Sequence, residues 1–336
     1  MPGAGFAAYG GRTRHRNGAI AWKGNPNMSQ GLLHVSDEVR DAVAAGKPVL
    51  ALESTIFTHG LPRPHNEELA LATEQQVREA GVVPATIGVV EGRPTVGLSS
   101  DEIVQLSRDD SAVKASLRDL PIVAGKRLSA GTTVAATGYL AHLAGVRVFS
   151  TGGLGGVHRG AETSFDESAD LGTLATLPIV VVSAGVKSIL DIGLTLERLE
   201  TLNLAVVGYR TTHYPGFYVA DSGYNLEYSA DSPSEVARMA EARDALHINS
   251  TLLVANPVPE SEQLDPEMHD AILAQAWAEA ENRGIAGNDT TPFLLDYIAT
   301  HTQGESMRAN LAAYRGNVAL GALIAAELTG GAGGRP

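Results

Sequence analysis

The sequence contains no cysteine among its 336 residues. This absence excludes a disulfide framework, a thiolate nucleophile, a zinc ribbon and an iron–sulfur cluster. A chain of this length buries most of the surface that it exposes when unfolded, so its core needs no covalent crosslinks. The length fits one large α/β domain or two smaller domains.

Basic residues are scarce, because 25 Lys and Arg stand against 38 Asp and Glu, for a formal charge of −13. An acidic protein repels the phosphates of nucleic acids, so we expect no nucleic-acid partner. The sequence also lacks an apolar run of about 18 residues, so we expect no membrane partner. Its 44% hydrophobic content and 37 glycines are typical of a soluble globular enzyme.

Acidic residues are missing altogether from the first 36 positions, which carry four basic side chains. Glycine, proline and asparagine interrupt this stretch, which predicts a disordered extension over residues 1–29 and a single domain over 30–330. A secretory signal needs an uninterrupted apolar core, which the stretch does not have. We therefore expect a cytoplasmic protein.

Short apolar runs alternate with helical patterns along the rest of the chain. The runs are typical of buried strands and lie at 48–52, 146–149, 178–183, 205–209 and 251–255. Helices are predicted at 36–45, 67–80, 132–144, 188–200, 268–283 and 306–328, with Ser36 and Asn66 as N-caps. A hairpin is predicted around Glu91 and Gly92. The pattern predicts an α/β protein, a single three-layer α/β/α domain around a mostly parallel, mixed sheet.

Polar residues follow four of the predicted strands: Glu53, the loop 151–158, Lys187 and Asn256. The carboxyl ends of parallel strands converge on one crevice, where open α/β sheets bind their ligands. We therefore expect one catalytic site at these strand ends.

The loop 152–160 contains five glycines together with His158 and Arg159. Glycine allows backbone amides to approach a ligand closely. The loop matches neither a Walker motif nor the dinucleotide fingerprint, which argues against ATP hydrolysis and NAD chemistry. A tight loop without a ligand is the alternative.

Three charged side chains are candidates for chemistry, each with a structural alternative. Asp166 and Asp170 are four residues apart, so on a helix they would lie on one face and could bind a hard cation together. The structural alternative is that one of them caps a helix and the other is solvated. Lys187 follows a buried strand and is predicted to open a helix. Desolvation at a helix N-terminus would favour the neutral amine, which can attack a carbonyl carbon. The structural alternative is that Lys187 is an exposed charge at the start of that helix.

Six motifs occur in order in this chain. They are 51–60 (ALESTIFTHG), 84–88 (PATIG), 151–160 (TGGLGGVHRG), 184–191 (AGVKSILD), 254–257 (VANP) and 291–295 (TPFLL). In these motifs the chain resembles the pseudouridine-5′-phosphate glycosidase, or pseudouridylate synthase, family, whose relatives include indigoidine-biosynthesis proteins. The resemblance runs from about residue 33 to residue 328. It implies a homotrimeric α/β/α enzyme with one Mn²⁺ per subunit, which reversibly splits pseudouridine 5′-phosphate into uracil and ribose 5-phosphate.

The resemblance also implies roles for individual residues. Lys187 is the nucleophile that forms a Schiff base with C1′ of the opened ribose, Glu53 is the proton donor, and Asp166 holds the metal partly through water. Asp170 is a candidate for proton transfer as well as for substrate binding. The other implied site residues are Lys114, Val134, Thr151, His158, Ser168, Ala169 and Asn310. For Lys114, the alternative is a solvated lysine beside Asp109 and Asp110.

The chain departs from the family pattern at Gly131, at Arg210 and near Ser229. These departures lie outside the expected catalytic core, so we expect them to affect substrate preference rather than the class of reaction. Two other functions stay open: a related lyase acting on another ribose phosphate, or a non-catalytic protein that binds phosphosugars. A protein that only binds has no need of a lysine nucleophile, which argues against the second.

Overall fold

The computed structural model describes residues 31–285 and 290–330, so the extension predicted over 1–29 lies outside the described residues. Eleven strands of the described chain form one sheet. They are β1 (His34–Val35), β2 (Val49–Leu52), β3 (Val83–Val90), β4 (Arg93–Val96), β5 (Val113–Ala115), β6 (Ala130–Thr132), β7 (Val148–Ser150), β8 (Val180–Ser183), β9 (Ala205–Tyr209), β10 (Ser229–Ala230) and β11 (Leu252–Ala255).

The helices lie between the strands and after them. They are α1 (Asp37–Ala44), α2 (Thr55–Thr58), α3 (His65–Glu79), α4 (Ser100–Arg108), a 3₁₀ turn (Leu117–Asp119), α5 (Leu120–Lys126), α6 (Val134–Leu143), α7 (Ala161–Ser164), α8 (Ala169–Leu174), α9 (Ile192–Thr201), α10 (Pro233–Ala245), α11 (Pro266–Asn282), α12 (Thr290–His301) and α13 (Glu305–Gly330). Among these helices, none is both long and apolar enough to cross a membrane.

The sheet is mixed but mostly parallel, as the sequence predicts. Its main path runs β1-β4-β3-β2-β7-β8-β11-β9-β10, with β6 and β5 branching from β3. The strands from β3 to β10 along this path are parallel, whereas β4 and β6 run antiparallel to β3. The carboxyl ends of the neighbouring strands β2, β7, β8 and β11 therefore lie side by side, at the same end of the sheet.

Both faces of the sheet are buried under helices, which explains the continuous apolar runs in the sequence. Leu50 and Leu52 of β2 pack in the core that includes α3, α10 and α13, while Val49 and Ala51 face the core that includes α6 and α8. The same alternation recurs in β8 and β11. The three-layer α/β/α arrangement is confirmed.

Two local predictions are confirmed. Ser36 caps α1 by accepting a hydrogen bond from the Val39 N–H at 3.4 Å. The hairpin between β3 and β4 turns at Glu91 and Gly92, which have φ of 50° and 81° and so bend the chain through the left-handed region.

Three helix starts differ from the predictions. Asn66 does not cap α3 but is buried within its first turn, where its amide donates to the carbonyls of Phe57 at 2.7 Å and Ser107 at 2.9 Å. These buried carbonyls need a donor, which outweighs the capping preference of asparagine. The helix predicted at 132–144 begins at Val134, because Thr132 belongs to β6. The helix predicted at 188–200 begins at Ile192 and is capped by Asp191.

Candidate active site

The four strand ends selected from the sequence meet at one edge of the sheet. Glu53 follows β2, Thr151 follows β7, Lys187 comes four residues after β8, and Asn256 follows β11, and these strands are consecutive neighbours. The Thr151 hydroxyl donates a hydrogen bond to the Glu53 carboxyl group, across 98 positions of sequence. The predicted convergence is confirmed for this pair.

Glu53 is one of two buried carboxyl groups of the site, with 8% of its surface exposed against 6% for Asp170. Burial raises the pKa of Glu53, since the ionised form loses its water. The ammonium of Lys187, the Thr151 hydrogen bond and the Lys114 ammonium oppose this rise, while the Asp170 carboxylate adds to it. A carboxyl group that keeps its proton at higher pH is suited to act as a general acid.

Lys187 lies in an irregular segment after β8 and does not open a helix, contrary to the prediction. The segment 184–187 pairs with the glycine-rich loop beyond the ends of β7 and β8. The Leu154 N–H donates to the Gly185 carbonyl at 2.9 Å, and the Lys187 N–H donates to the Leu154 carbonyl at 3.1 Å. This pairing fixes the backbone of Lys187, whose residue is half-buried beside Glu53.

Packing explains three of the five glycines of the loop 152–160, namely Gly153, Gly155 and Gly156. A Cβ atom at Gly153 would overlap the ring of Phe217, and one at Gly156 would come within 2.9 Å of Thr195 Cγ2. A Cβ atom at Gly155 would overlap Ser168 and lie 2.8 Å from Asp170 Oδ2. These three glycines therefore let the loop pass close to its neighbours. The alternative given in the sequence analysis, a tight loop without a ligand, is sufficient to account for them.

Asp170 joins this loop to the start of α6. Its carboxylate accepts hydrogen bonds from the Ala135 N–H and from the Gly155 N–H, both at 2.9 Å. Ser168 caps α8 by accepting from the Asp170 N–H at 3.2 Å, and Ala169 is the first residue of that helix. Two backbone donors thus fix the direction in which the Asp170 carboxylate points.

Asp166 and Asp170 do not share a helix face, so the interpretation from helical spacing is wrong. Asp166 lies in the exposed segment between α7 and α8, and its carbonyl accepts from the His158 N–H at 3.0 Å. That bond places the half-buried His158 next to Asp166. Among residues 31–285 and 290–330, no three His, Asp or Glu side chains are grouped closely enough to form a metal cluster.

Lys114 faces the site rather than Asp109 and Asp110. It lies on β5, paired with Gly131 of β6, and solvent reaches its side chain. The surrounding protein nevertheless lowers the pKa of Lys114 by desolvation and by the nearby Lys187 ammonium, while Glu53 and Asp170 act in the opposite direction. We infer an open cleft, in which protein atoms surround an ammonium that water can still reach.

Val134 and Asn310 stand on the two helices that border the cleft. Val134 is the buried first residue of α6. Asn310 lies on α13, with its Oδ1 3.5 Å from the position of a Cβ atom on Gly152. The two helices come from opposite faces of the sheet, so the site is lined from both layers.

Hydroxyl and amide groups that the sequence did not single out complete the site. Ser54, next to Glu53, accepts from the Thr132 N–H at 2.8 Å, and Thr132 contacts the Thr137 hydroxyl at 2.8 Å. Asn317 of α13 binds the carbonyls of Thr151 and Gly152. A polar residue in the apolar pattern of α13 is the one sequence signal that would have indicated Asn317.

The departures from the family pattern have local explanations in part. A Cβ atom at Gly131 would overlap the Thr58 hydroxyl, so this chain requires glycine there. Arg210 lies beyond β9, where its Nε donates to the Asp231 carbonyl at 3.2 Å and its guanidinium stacks on Tyr209. Ser229 belongs to β10 at the edge of the sheet, and nothing in the structure explains the missing arginine near it.

Comparisons with known proteins agree with this geometry. The family model described as "Indigoidine synthase A like protein" matches residues 38–327. A pseudouridine-5′-phosphate glycosidase from Saccharopolyspora erythraea is 62% identical over 296 residues, which cover 88% of this chain and 98% of that protein. One from Frankia alni is 53% identical over 291 residues, covering 87% and 81%.

Two solved structures share the fold. The crystal structure of the prealnumycin C-glycosynthase in complex with ribulose 5-phosphate has a TM-score of 0.85 and 35% identity, covering 91% of this chain and 99% of that one. The indigoidine synthase A-like protein from Thermotoga maritima has a TM-score of 0.80 and 36% identity, covering 89% and 97%.

Proposed function

The chain belongs to the indigoidine synthase A-like protein family, and we propose that it is a pseudouridine-5′-phosphate glycosidase. It cleaves the C–C glycosidic bond of pseudouridine 5′-phosphate to give uracil and ribose 5-phosphate, as an enzyme of nucleotide catabolism. The observation that carries the proposal is that Glu53 and Lys187, which follow strands β2 and β8, share one electrostatic environment with Asp170 of α8 and Lys114 of β5, in a chain 62% identical to a protein of that name.

The proposed reaction begins with Lys187 and Glu53. The Lys187 amine forms a bond to C1′ as the C1′–O4′ bond breaks, and Glu53 gives its proton to O4′. The nitrogen now bonded to C1′ gives one of its protons to the Asp170 carboxylate, and its lone pair then forms a C=N bond as the bond from C1′ to uracil C5 breaks. C5 leaves with the bonding electrons and takes that proton from Asp170. Water then hydrolyses the Schiff base, which releases Lys187 and ribose 5-phosphate and returns a proton to Glu53. The iminium supplies the electron sink that a carbon leaving group requires.

Burial supports the role of Glu53, because it raises the pKa of this carboxyl group. The Thr151 hydroxyl holds the carboxyl group in one orientation. Asp170 is the proposed proton carrier for uracil C5, with its carboxylate oriented by the Ala135 and Gly155 N–H groups.

In this proposal the phosphate binds between Lys114 and the start of α6. Lys114 supplies a positive charge, and the N-terminus of α6 supplies the Val134 N–H, since the Ala135 N–H is bonded to Asp170. The Thr133 hydroxyl at this helix start is buried without a hydrogen-bond partner in the described structure, so it offers a further donor. Asn310 and His158 line the rest of the cleft. Binding energy from the phosphate orders the opened sugar at Lys187.

The donor set fits a hard cation that keeps most of its water. Asp166 offers a single exposed carboxylate, with no cluster of further ligands among the described residues. Mn²⁺ and Mg²⁺ accept such carboxylate-and-water sites, whereas structural zinc sites take four protein ligands. We propose that Asp166 holds one Mn²⁺ per subunit, which supplies positive charge beside the substrate.

We also propose that the protein is a cytoplasmic homotrimer. Phe165, beside Asp166, supports a subunit contact there, because this large apolar side chain is 84% exposed in the single chain. Multi-angle light scattering of the full chain measures the assembly, and a monomeric mass would contradict the proposal.

The test of the function is incubation with pseudouridine 5′-phosphate and Mn²⁺, followed by chromatography of free uracil. Uridine 5′-phosphate in parallel separates C–C from C–N cleavage. We expect uracil from the first substrate alone, and its absence would refute the proposed function. Borohydride with ribose 5-phosphate should attach a reduced pentose phosphate to the Lys187 peptide, and label on another residue would refute the Schiff base there.

A second function is favoured by one observation, the 0.85 TM-score to a C-glycosynthase that binds ribulose 5-phosphate. Under this alternative, the chain joins a pentose phosphate to another aromatic carbon. The identity of 62% to a glycosidase against 35% to the C-glycosynthase favours the first function. A non-catalytic phosphosugar-binding protein has no use for a buried acid beside a lysine.

A further inference from the structure

We propose that Asn317 is a positioning residue for the proton donor Glu53. It binds the backbone of Thr151 and thereby holds the Thr151 hydroxyl against the Glu53 carboxyl group, while Asn256 fixes the orientation of the Asn317 amide. This inference rests on the proposed function for the role of Glu53, and it gives a purpose to Asn256, which the reaction steps above do not use.

The backbone of Thr151 is bound on both sides. Asn317 is fully buried, and its Nδ2 donates to the Thr151 carbonyl at 2.8 Å and to the Gly152 carbonyl at 3.2 Å. The Thr151 N–H donates to the Val182 carbonyl of β8 at 3.0 Å. With its N–H and its carbonyl both held, Thr151 directs its hydroxyl toward Glu53.

The chemistry of the partners determines the orientation of the Asn317 amide. Two carbonyl oxygens can only accept, so the NH₂ group of Asn317 must face them. Its Oδ1 then accepts from the Asn256 Nδ2 at 2.9 Å. The chain of contacts therefore runs from the end of β11, through α13, to the end of β7 and the carboxyl group after β2.

Helix α13 is fixed at the level of this contact. The Ser150 hydroxyl of β7 donates to the Asn317 carbonyl at 2.9 Å, and Gly321, one turn further along α13, packs against Ser150 without room for a Cβ atom. Asn310, two turns before Asn317, stands over Gly152. The helix thus presents two amides to the loop that begins at Thr151: Asn310 near Gly152, and Asn317 bonded to the carbonyls of Thr151 and Gly152.

Four other titratable groups act on Glu53 from the elements packed around it. They are Lys187 after β8, Lys114 on β5, Asp170 on α8 and Tyr314 on α13. Replacing Asn317 leaves all four side chains in the protein. If Asn317→Leu and Thr151→Val change the pKa of Glu53 in the same way, the cause is therefore the loss of the Thr151 hydrogen bond and not the loss of a neighbouring charge.

The experiment compares Asn317→Leu, Thr151→Val, the double variant and Asn256→Leu. The control is Ser306→Ala, which removes a buried hydroxyl on the same helix whose described hydrogen bond is to the Thr302 hydroxyl, at 2.8 Å, and not to the loop. Steady-state uracil release gives kcat and KM. The pKa of Glu53 is measured in the free protein by ¹³C NMR of labelled glutamate, with Glu53→Gln assigning the signal.

We expect Asn317→Leu to lower kcat about 10- to 100-fold, with KM for the nucleotide nearly unchanged, because it misplaces the acid and not the substrate. Thr151→Val should do the same, and the double variant should be no slower than Thr151→Val alone. Both single variants should raise the pKa of Glu53, since the ionised form loses a donor. Asn256→Leu should shift the pKa in the same direction by less, and Ser306→Ala should leave it unchanged.

The inference would be overturned if the kcat losses of the two single variants multiply in the double variant, or if the pKa of Glu53 is unchanged in Asn317→Leu. If Asn317→Leu does not fold, Asn256→Leu decides, and wild-type titration and kcat in that variant would overturn it. If the wild-type protein releases no uracil, the proposed function fails while the titration still tests the link from Asn317 to Glu53.

Discussion

Replacing Glu53 with glutamine separates the chemistry of this residue from its place in the fold. Glutamine has nearly the same shape and still accepts the Thr151 hydrogen bond, but it cannot give a proton to O4′. Loss of a general acid costs about 10²- to 10⁴-fold in kcat, which corresponds to about 3 to 5.5 kcal/mol of barrier. We expect uracil release to fall within this range, with a smaller change in KM.

The same substitution has an opposite effect on stability, because burial raises the pKa of Glu53. Near pH 4 and below, the folded and unfolded chains both hold the proton, so the glutamate adds no pH-dependent penalty. As pH rises from the ordinary glutamate pKa to the raised pKa, the wild-type protein loses about 1.4 kcal/mol of stability for each unit of the shift, and the glutamine variant does not. The difference in Tm, variant minus wild type, should therefore become more positive as pH rises from about 4 to the raised pKa of Glu53 and stay constant above it.

Glu74 provides the matched control. It is also a buried carboxyl group with a pKa raised by burial, and its Oε1 accepts from the Thr86 hydroxyl at 2.7 Å outside the site. Glu74→Gln should show the same trend in Tm and retain uracil release. The kcat of the wild-type protein should fall as pH rises through the pKa of Glu53, since the donor must be protonated. A Glu53→Gln variant that keeps activity within tenfold, or whose relative Tm falls with rising pH, would refute this reasoning.

Three further predictions concern the phosphate, the metal and the loop. Lys114→Ala should lose most of the preference for pseudouridine 5′-phosphate over pseudouridine, measured as the ratio of kcat/KM values. Equal wild-type values would refute nucleotide selectivity, and an unchanged ratio in the variant would remove Lys114 from the phosphate site. Chelation should abolish uracil release, Mn²⁺ should restore it, and Asp166→Asn should require more Mn²⁺; full activity of metal-free protein would contradict the metal role. Gly155→Ala should destabilise the fold by about 1–3 kcal/mol, because its Cβ overlaps Ser168. Calorimetry checks this against Gly172→Ala, where the Cβ meets no atom within 4 Å, and equal Tm values for the two variants would contradict it.

The sequence is sufficient to predict the central strands and the end of the sheet at which the site forms, but not the short strands β1, β5, β6 and β10. The central strands are buried on both faces, so their apolar runs are continuous and easy to detect, and the polar residue after each run marks a carboxyl end. Glu53, Thr151 and Asn256 were found in this way. The parallel order of β2, β7, β8 and β11 then brings them together without any further information.

Contacts made by the backbone could not be predicted from residue types. Lys187 is predicted at a helix start, but the segment 184–187 pairs with the glycine-rich loop and a turn over 188–190 follows it before Asp191 caps α9. Asn66 was expected as a cap, but two buried carbonyls required its amide. In each case the tertiary partner is distant in the sequence and overrides the local preference.

The hydrogen bonds between helix α13 and the end of β7 have a consequence for folding during synthesis. Ser150 and Thr151 leave the ribosome more than 160 residues before Asn317, to which both are bonded. Until that helix is synthesised and docked, the carbonyls of Thr151 and Gly152 lack their amide partner, and the acid after β2 is not held by an ordered neighbour. Closing so long a loop is a late and slow event in folding. Catalytic competence should therefore arise only after synthesis of α13, and nascent chains that stop before it should lack the activity.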